Sequence, residues 1–202
     1  MRNKTLYIYV HVGIAWLLSC CSSTPMENIQ KFIGERIVLP KTLELGSDSL
    51  PDRWTDSVGM LHPKLMLYYS AEVCSSCKMK ELYRWQARLT DSLATTVSKV
   101  RCLCIIHTST HDKREMVQQT IADYRLQFPV LLDTAGIFER SNPQLPENPV
   151  FHTFLLDRDN RVVLVGSPIG NPKMWELYKS TIDRLVENGG ILPKRDTCGY
   201  RL

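Results

Sequence analysis

Two cysteines three residues apart, Cys74 and Cys77 in the run Cys74-Ser75-Ser76-Cys77, are the residues of this chain best suited to chemistry. A dithiol at this spacing closes and reopens as a disulfide. One thiolate attacks a foreign disulfide and the second thiol resolves the mixed disulfide that forms. The attacking sulfur must carry charge at neutral pH, which a helix N-terminus or a nearby cation favours. The flanking residues supply both. Leu65–Tyr69 reads as a strand, apolar on both faces, and Ser70–Val73 as a turn. From Cys74 to about Val97 the apolar residues Met79, Leu82, Trp85, Leu89 and Leu93 follow helical spacing. Cys74 thus falls where a strand turns into a helix, and Lys78 follows Cys77 directly. Ser75 and Ser76 are placed to donate hydrogen bonds to sulfur. Glu72 either relays protons to the resolving thiol or is a solvated loop charge.

Competing uses of the dithiol lack their supporting residues. A structural zinc site wants a second ligand pair at similar spacing, and none is present. Haem attachment wants histidine after the second cysteine, where Lys78 stands. There is no glycine motif for a flavin or nicotinamide, so no cofactor is expected and a separate reducing partner must supply electrons. Cys102 and Cys104, at i and i+2 on a predicted strand, share a face and read as buried, inert thiols. Cys198 lies in a polar tail. His107 and His152 read as surface or satisfied core residues, Tyr68, Tyr69 and Trp85 as core, and Lys113–Glu115 as a solvated helix start.

The rest of the chain must position that dithiol. Its 202 residues suffice for one domain and an appendage, and 44% apolar with 23% charged residues is ordinary for a globular protein. Seven cysteines are too few and too unevenly spaced for a disulfide scaffold. Residues 1–19 have a basic start (Arg2, Lys4), the apolar run Leu6–Leu18 and a small Ser19, the pattern of a secretory signal peptide. The net charge of +4 shrinks once that segment is removed: 25 basic residues less these two leaves 23 against 21 acidic. With no basic run carrying interleaved aromatics, nucleic acid is not an expected partner.

Residues 20–35 read as a tether with a short leading helix, and Arg36–Pro40 as a short strand. Turn residues dominate Lys41–Pro63, around a possible short helix near Trp54. After the dithiol helix come a strand at Val100–Ile106, a helix at Lys113–Leu126, a strand at Phe128–Leu132, and a short helix and loop over Thr134–Leu145. A hairpin follows, Phe151–Leu156 with Val162–Val165 around Asp157–Asn160. The last helix, capped by Asn171-Pro172, runs through Val186 and stops at Gly189-Gly190. Crossovers first and a hairpin last predict an α/β fold with a mixed sheet over residues 36–190, followed by a tail at 191–202.

Leu17-Leu18-Ser19-Cys20 resembles the bacterial lipobox. That implies Cys20 as the lipidated first residue, a membrane anchor of acyl chains, and a domain outside the cytoplasm. Three further stretches resemble the thioredoxin-like superfamily, in particular its membrane-tethered TlpA/ResA-type (redoxin) group and relatives among Bacteroidetes lipoproteins. They are Ser70–Met79, Phe128–Asp133 (FPVLLD) and Phe151–Asn160 (FHTFLLDRDN). The resemblance implies a thioredoxin-like fold and thiol–disulfide exchange with protein thiols through Cys74 and Cys77, in the reductive direction. It also implies that a proline faces the disulfide. Alignment of the hairpin puts Phe151 there, with Pro149 two residues earlier, so either residue is a candidate. Val73 replaces the tryptophan usual before the first cysteine, and Tyr68 stands where some thioredoxins bury a carboxylate. A copper metallochaperone using the same cysteines and a non-catalytic binding lipoprotein on the same scaffold are the alternatives.

Overall fold

The computed structural model describes residues 25–46, 62–71, 76–91 and 100–192. Cys20, Glu72, Cys74, Cys198 and the expected helix near Trp54 lie outside them. In chain order the elements are α1 (Pro25–Phe32), β1 (Glu44–Leu45), β2 (Lys64–Tyr69), α2 (Ser76–Asp91), β3 (Arg101–His107) and α3 (His111–Tyr124). Then follow β4 (Val130–Asp133), α4 (Ile137–Ser141), a 3₁₀ turn (Pro149–Phe151), β5 (Thr153–Leu156), β6 (Val162–Val165) and α5 (Pro172–Glu187).

The six strands form one mixed sheet in the order β1-β4-β3-β2-β5-β6. β2 pairs parallel with β3 and β3 with β4. β5 returns antiparallel onto β2, β6 onto β5, and β1 onto β4. This is the expected α/β architecture. β2 is central, and all six of its residues are buried.

Alternation of side chains divides the core between the two faces of the sheet. Leu65, Leu67 and Tyr69 of β2 join Cys102, Cys104 and Ile106 of β3 on one face. There they pack under Leu82 and Trp85 of α2, Val117 and Ile121 of α3, and Tyr178, Ile182 and Leu185 of α5. Met66, Tyr68, Leu103 and Ile105 point the other way, onto Phe32, Ile37, Phe138 and Phe154. Phe32 meets Phe154 edge to face at 5.3 Å, which attaches α1 to the sheet. The three long helices thus cover one face, and the leading segment with α4 covers the other. Both faces are closed, which is why β2 and β3 read as continuous apolar runs.

Several boundaries differ from the sequence reading. Arg36–Pro40 is not a strand: it makes a single bridge, Arg36 to Arg161, and beyond it the Val38 amide and carbonyl are taken by the Asn142 side chain and not by a neighbouring strand. β1, unanticipated, is two residues long and pairs with Leu131 and Leu132. α3 starts at His111, two residues early, because the Thr110 hydroxyl accepts from the Lys113 amide. β4 is displaced to Val130–Asp133, and β5 begins at Thr153 because Pro149–Phe151 coils into the 3₁₀ turn. α5 starts as expected, with Asn171 as cap accepting from the Met174 amide. No helix among the described residues is long and apolar enough to cross a membrane.

Candidate functional site

Parallel strands all end at the same edge of a sheet, and the helices that follow them begin there. β2 delivers Ser70 and Ala71 to that edge, and α2 starts again at Ser76. Cys77 and Lys78 therefore lie in the first turn of α2, where backbone amides lack intrahelical partners. β3 delivers His107 to the same edge, and α3 opens there four residues later.

The Lys113 ammonium, in the first turn of α3, donates a hydrogen bond of 2.9 Å to the Ala71 carbonyl. Sequence reasoning missed this contact and assigned Lys113 to a solvated helix start. The available signal was topological: a first-turn side chain after β3 arises at the edge where β2 ends.

An open cleft of about 410 Å³ lies at this edge. Ser70 and Ala71 line one side, and Pro146, Pro149 and His152 line another. Pro149 is thus part of the cleft wall, whereas Phe151 is half-buried and packs with the core face that holds Tyr68. No peptide bond among the described residues is cis. The Asn148 side chain accepts from the Val150 amide and initiates the 3₁₀ turn, while the His152 carbonyl accepts from the Tyr68 amide at 2.9 Å. The turn is therefore tied to the end of β2.

His152 is 5% exposed, and its ring lies 5.2 Å from that of Tyr68. Its Nε2 is 2.7 Å from the Pro146 carbonyl, which can only accept, so Nε2 carries the proton. Burial lowers the His152 pKa, opposed by that hydrogen bond and by Glu139. The imidazole is neutral at pH 7, and Nδ1 is a buried acceptor with no partner among the described residues. Burial, followed by the Glu139 carboxylate, pushes the Tyr68 phenol above its ordinary range. The sequence reading had His152 as a surface or satisfied core histidine. It is a core histidine with one nitrogen satisfied.

The cysteines of β3 and the core aromatics fall as expected. Cys102 and Cys104 are buried on the face shared with Tyr69, and burial pushes the Cys102 thiol well up. Such thiols are poor nucleophiles. Tyr68, Tyr69 and Trp85 are core. His107 does not join His152 in the cleft; it packs close to Gly136.

No family model matches the chain, and no curated protein sequence does. Among solved structures it is similar to StoA from Bacillus subtilis, at 19% identity over 57% of this chain and 83% of that one, with a TM-score of 0.42. It is also similar to the thioredoxin domain of a thiol-disulfide oxidoreductase from Bacteroides vulgatus (6% identity, 72% and 96% coverage, TM-score 0.46). A third is a secreted thiol-disulfide isomerase from Corynebacterium glutamicum (16% identity, 60% and 71% coverage, TM-score 0.44). The topology itself defines the class. A parallel β2–α2–β3 unit, with the β5–β6 hairpin returning antiparallel onto β2, is a thioredoxin-like fold.

Proposed function

We propose that this chain is an extracytoplasmic thiol–disulfide oxidoreductase that works through Cys74 and Cys77. The observation that carries the reading is the cleft between Ser70–Ala71 and the Pro149–His152 turn. Ala71, which lines it, stands three residues before Cys74 in the sequence, at the edge where α2 begins.

The Cys74 thiolate attacks one sulfur of a substrate disulfide. That S–S bond breaks, a mixed disulfide forms, and the first substrate sulfur leaves and takes a proton. Cys77 then attacks the Cys74 sulfur, releases the second substrate thiol and closes the Cys74–Cys77 disulfide. Two electrons pass to the substrate, and a separate dithiol reductant restores the pair. Lys78 and the α2 N-terminus favour the thiolate, and Glu72 handles protons near the resolving thiol. Pro149 lines the cleft together with Ser70 and Ala71. Lipidation at Cys20 would hold the domain at a membrane surface outside the cytoplasm, where disulfides persist.

The test is reduction of insulin and of hydroxyethyl disulfide by the full chain, with titration of the Cys74–Cys77 couple in a thiol buffer. Turnover lost in Cys74→Ser supports the reading. Absence of turnover together with absence of a redox couple would sink it.

A further inference from the structure

The wall of the cleft built by residues 139–152 is rich in hydrogen-bond acceptors and poor in donors. Pro143, Pro146 and Pro149 all line it and have no backbone N–H. The amides of Asn142, Leu145 and His152 are consumed locally by the carbonyls of Glu139, Asn142 and Pro149. The Asn142 side-chain amide is committed to the carbonyls of Val38 and Phe138. Charge on this wall comes from the exposed carboxylates of Glu139, which also acts on the Tyr68 phenol, and Glu147. Beneath them lies His152, nine-tenths buried, whose Nδ1 is an acceptor without a partner among the described residues. No Lys or Arg among the described residues lines the cleft, and Lys113, at the β2 end, is engaged by the Ala71 carbonyl.

A site composed of acceptors and negative charge matches a cation that carries several N–H donors. Guanidinium fits best, because it presents five donors in a planar fork. The position of the cleft sets what bears that cation. Ala71 lines it, and Cys74 follows three residues later, so at most about 11 Å of extended chain separates them. A polypeptide whose cysteine reacts at Cys74 would lay its neighbouring residues along this wall.

We infer that the cleft is a docking subsite for a polypeptide substrate bearing arginine or lysine within a few residues of its reacting cysteine, held by Glu139 and Glu147. This assignment of substrate class rests on the oxidoreductase reading above, and its test is separable from it. Two fluorescein-labelled peptides, identical except for Arg or Glu flanking a central serine, are titrated into the full chain and read by anisotropy. The Arg peptide should bind about fivefold or more tighter, and the preference should shrink as salt is raised. The Glu139→Gln/Glu147→Gln variant should lose most of it; both carboxylates are exposed, so the fold should be retained. Equal binding of the two peptides, or a preference unchanged in the double variant, overturns the inference. Hydroxyethyl disulfide, small and uncharged, reports the redox reading alone. If it is not reduced and no Cys74–Cys77 couple titrates while Arg selectivity persists, the redox reading fails and the cleft stands as a site for basic peptides. If it is reduced while the peptides bind equally, the reverse holds.

Discussion

Lys113 and Ala71, 42 residues apart in sequence, are joined by a hydrogen bond of 2.9 Å from the ammonium to the carbonyl. The contact ties the first turn of α3 to the end of β2, directly before the dithiol segment. It also fixes a positive charge at the edge where β2 ends, three residues before Cys74 in the sequence.

From this we predict that Lys113→Met raises the apparent pKa of the first thiol by up to about one unit, through loss of a neighbouring cation. Lys113→Arg should restore most of it. The readout is the pH dependence of iodoacetamide alkylation of the reduced chain. An unchanged profile in Lys113→Met would remove Lys113 from any part in the chemistry.

His152 gives an acid-side prediction. Burial lowers its pKa from the ordinary 6.5, so below that pH the unfolded chain takes up a proton that the folded chain resists. Stability from this group is complete above pH 6.5 and is lost as the pH falls through the lowered folded value. Denaturant midpoints of the native chain and of His152→Asn should converge on going from pH 7 to pH 5. Parallel pH curves would contradict it.

Lys64, fully buried at the start of β2, predicts the opposite end of the pH scale. Burial pulls its pKa from 10.5 down to about 8, against the attraction of Asp157 and Asp159. Between those two values the unfolded chain binds more protons, so stability from this group rises with pH. Lys64→Met, which keeps the length without the charge, should flatten that rise when midpoints at pH 7.5 and pH 10 are compared. A rise of the same size in the variant would assign it to other groups.

Asn142 is 1% exposed and makes three close hydrogen bonds. Its Oδ1 accepts from the Val38 amide at 2.8 Å, and its Nδ2 donates to Val38 O at 2.9 Å and Phe138 O at 2.8 Å. Asn142→Ala should cost about 1–3 kcal/mol, since the buried Phe138 carbonyl and the part-buried Val38 backbone groups lose their partner. Amide hydrogen exchange should show the loss first at Val38. A change under about 0.5 kcal/mol, the level of a neutral surface substitution, would mean water replaces the side chain.

What could be read in advance depended on how local its cause was. β2, β3, α2 and α5 carry their own signals: apolar residues on both faces, 3–4 spacing, and the Asn171-Pro172 cap. The mixed sheet followed from element order alone. The leading segment misled because Ile37 and its apolar neighbours look like a strand, whereas the structure uses Ile37 as a plug on the Phe154 face. Contacts made between distant segments were invisible. Nothing near Lys113 announces Ala71, and nothing near His152 announces that Pro146 will hold one of its nitrogens. The turn before β5 was in doubt for the same reason. Which of Pro149 and Phe151 lines a cleft is decided by the twist of a 3₁₀ turn whose cap, Asn148, no periodicity marks.

The single bridge between Arg36 and Arg161 has a further consequence. Around it, Gly34 donates to Val162, Val162 to Glu35, and Ile37 to Asn160, so the outer side of β6 is taken up where it begins. At the opposite margin of the sheet the last strand, β1, is only two residues long. Chains that meet at random through open strand edges template one another into aggregates, and proteins avoid this by shortening or covering those edges. Here one margin is shortened and the other is partly covered by residues ahead of the first strand. The sheet thereby offers a foreign strand little open edge on which to pair.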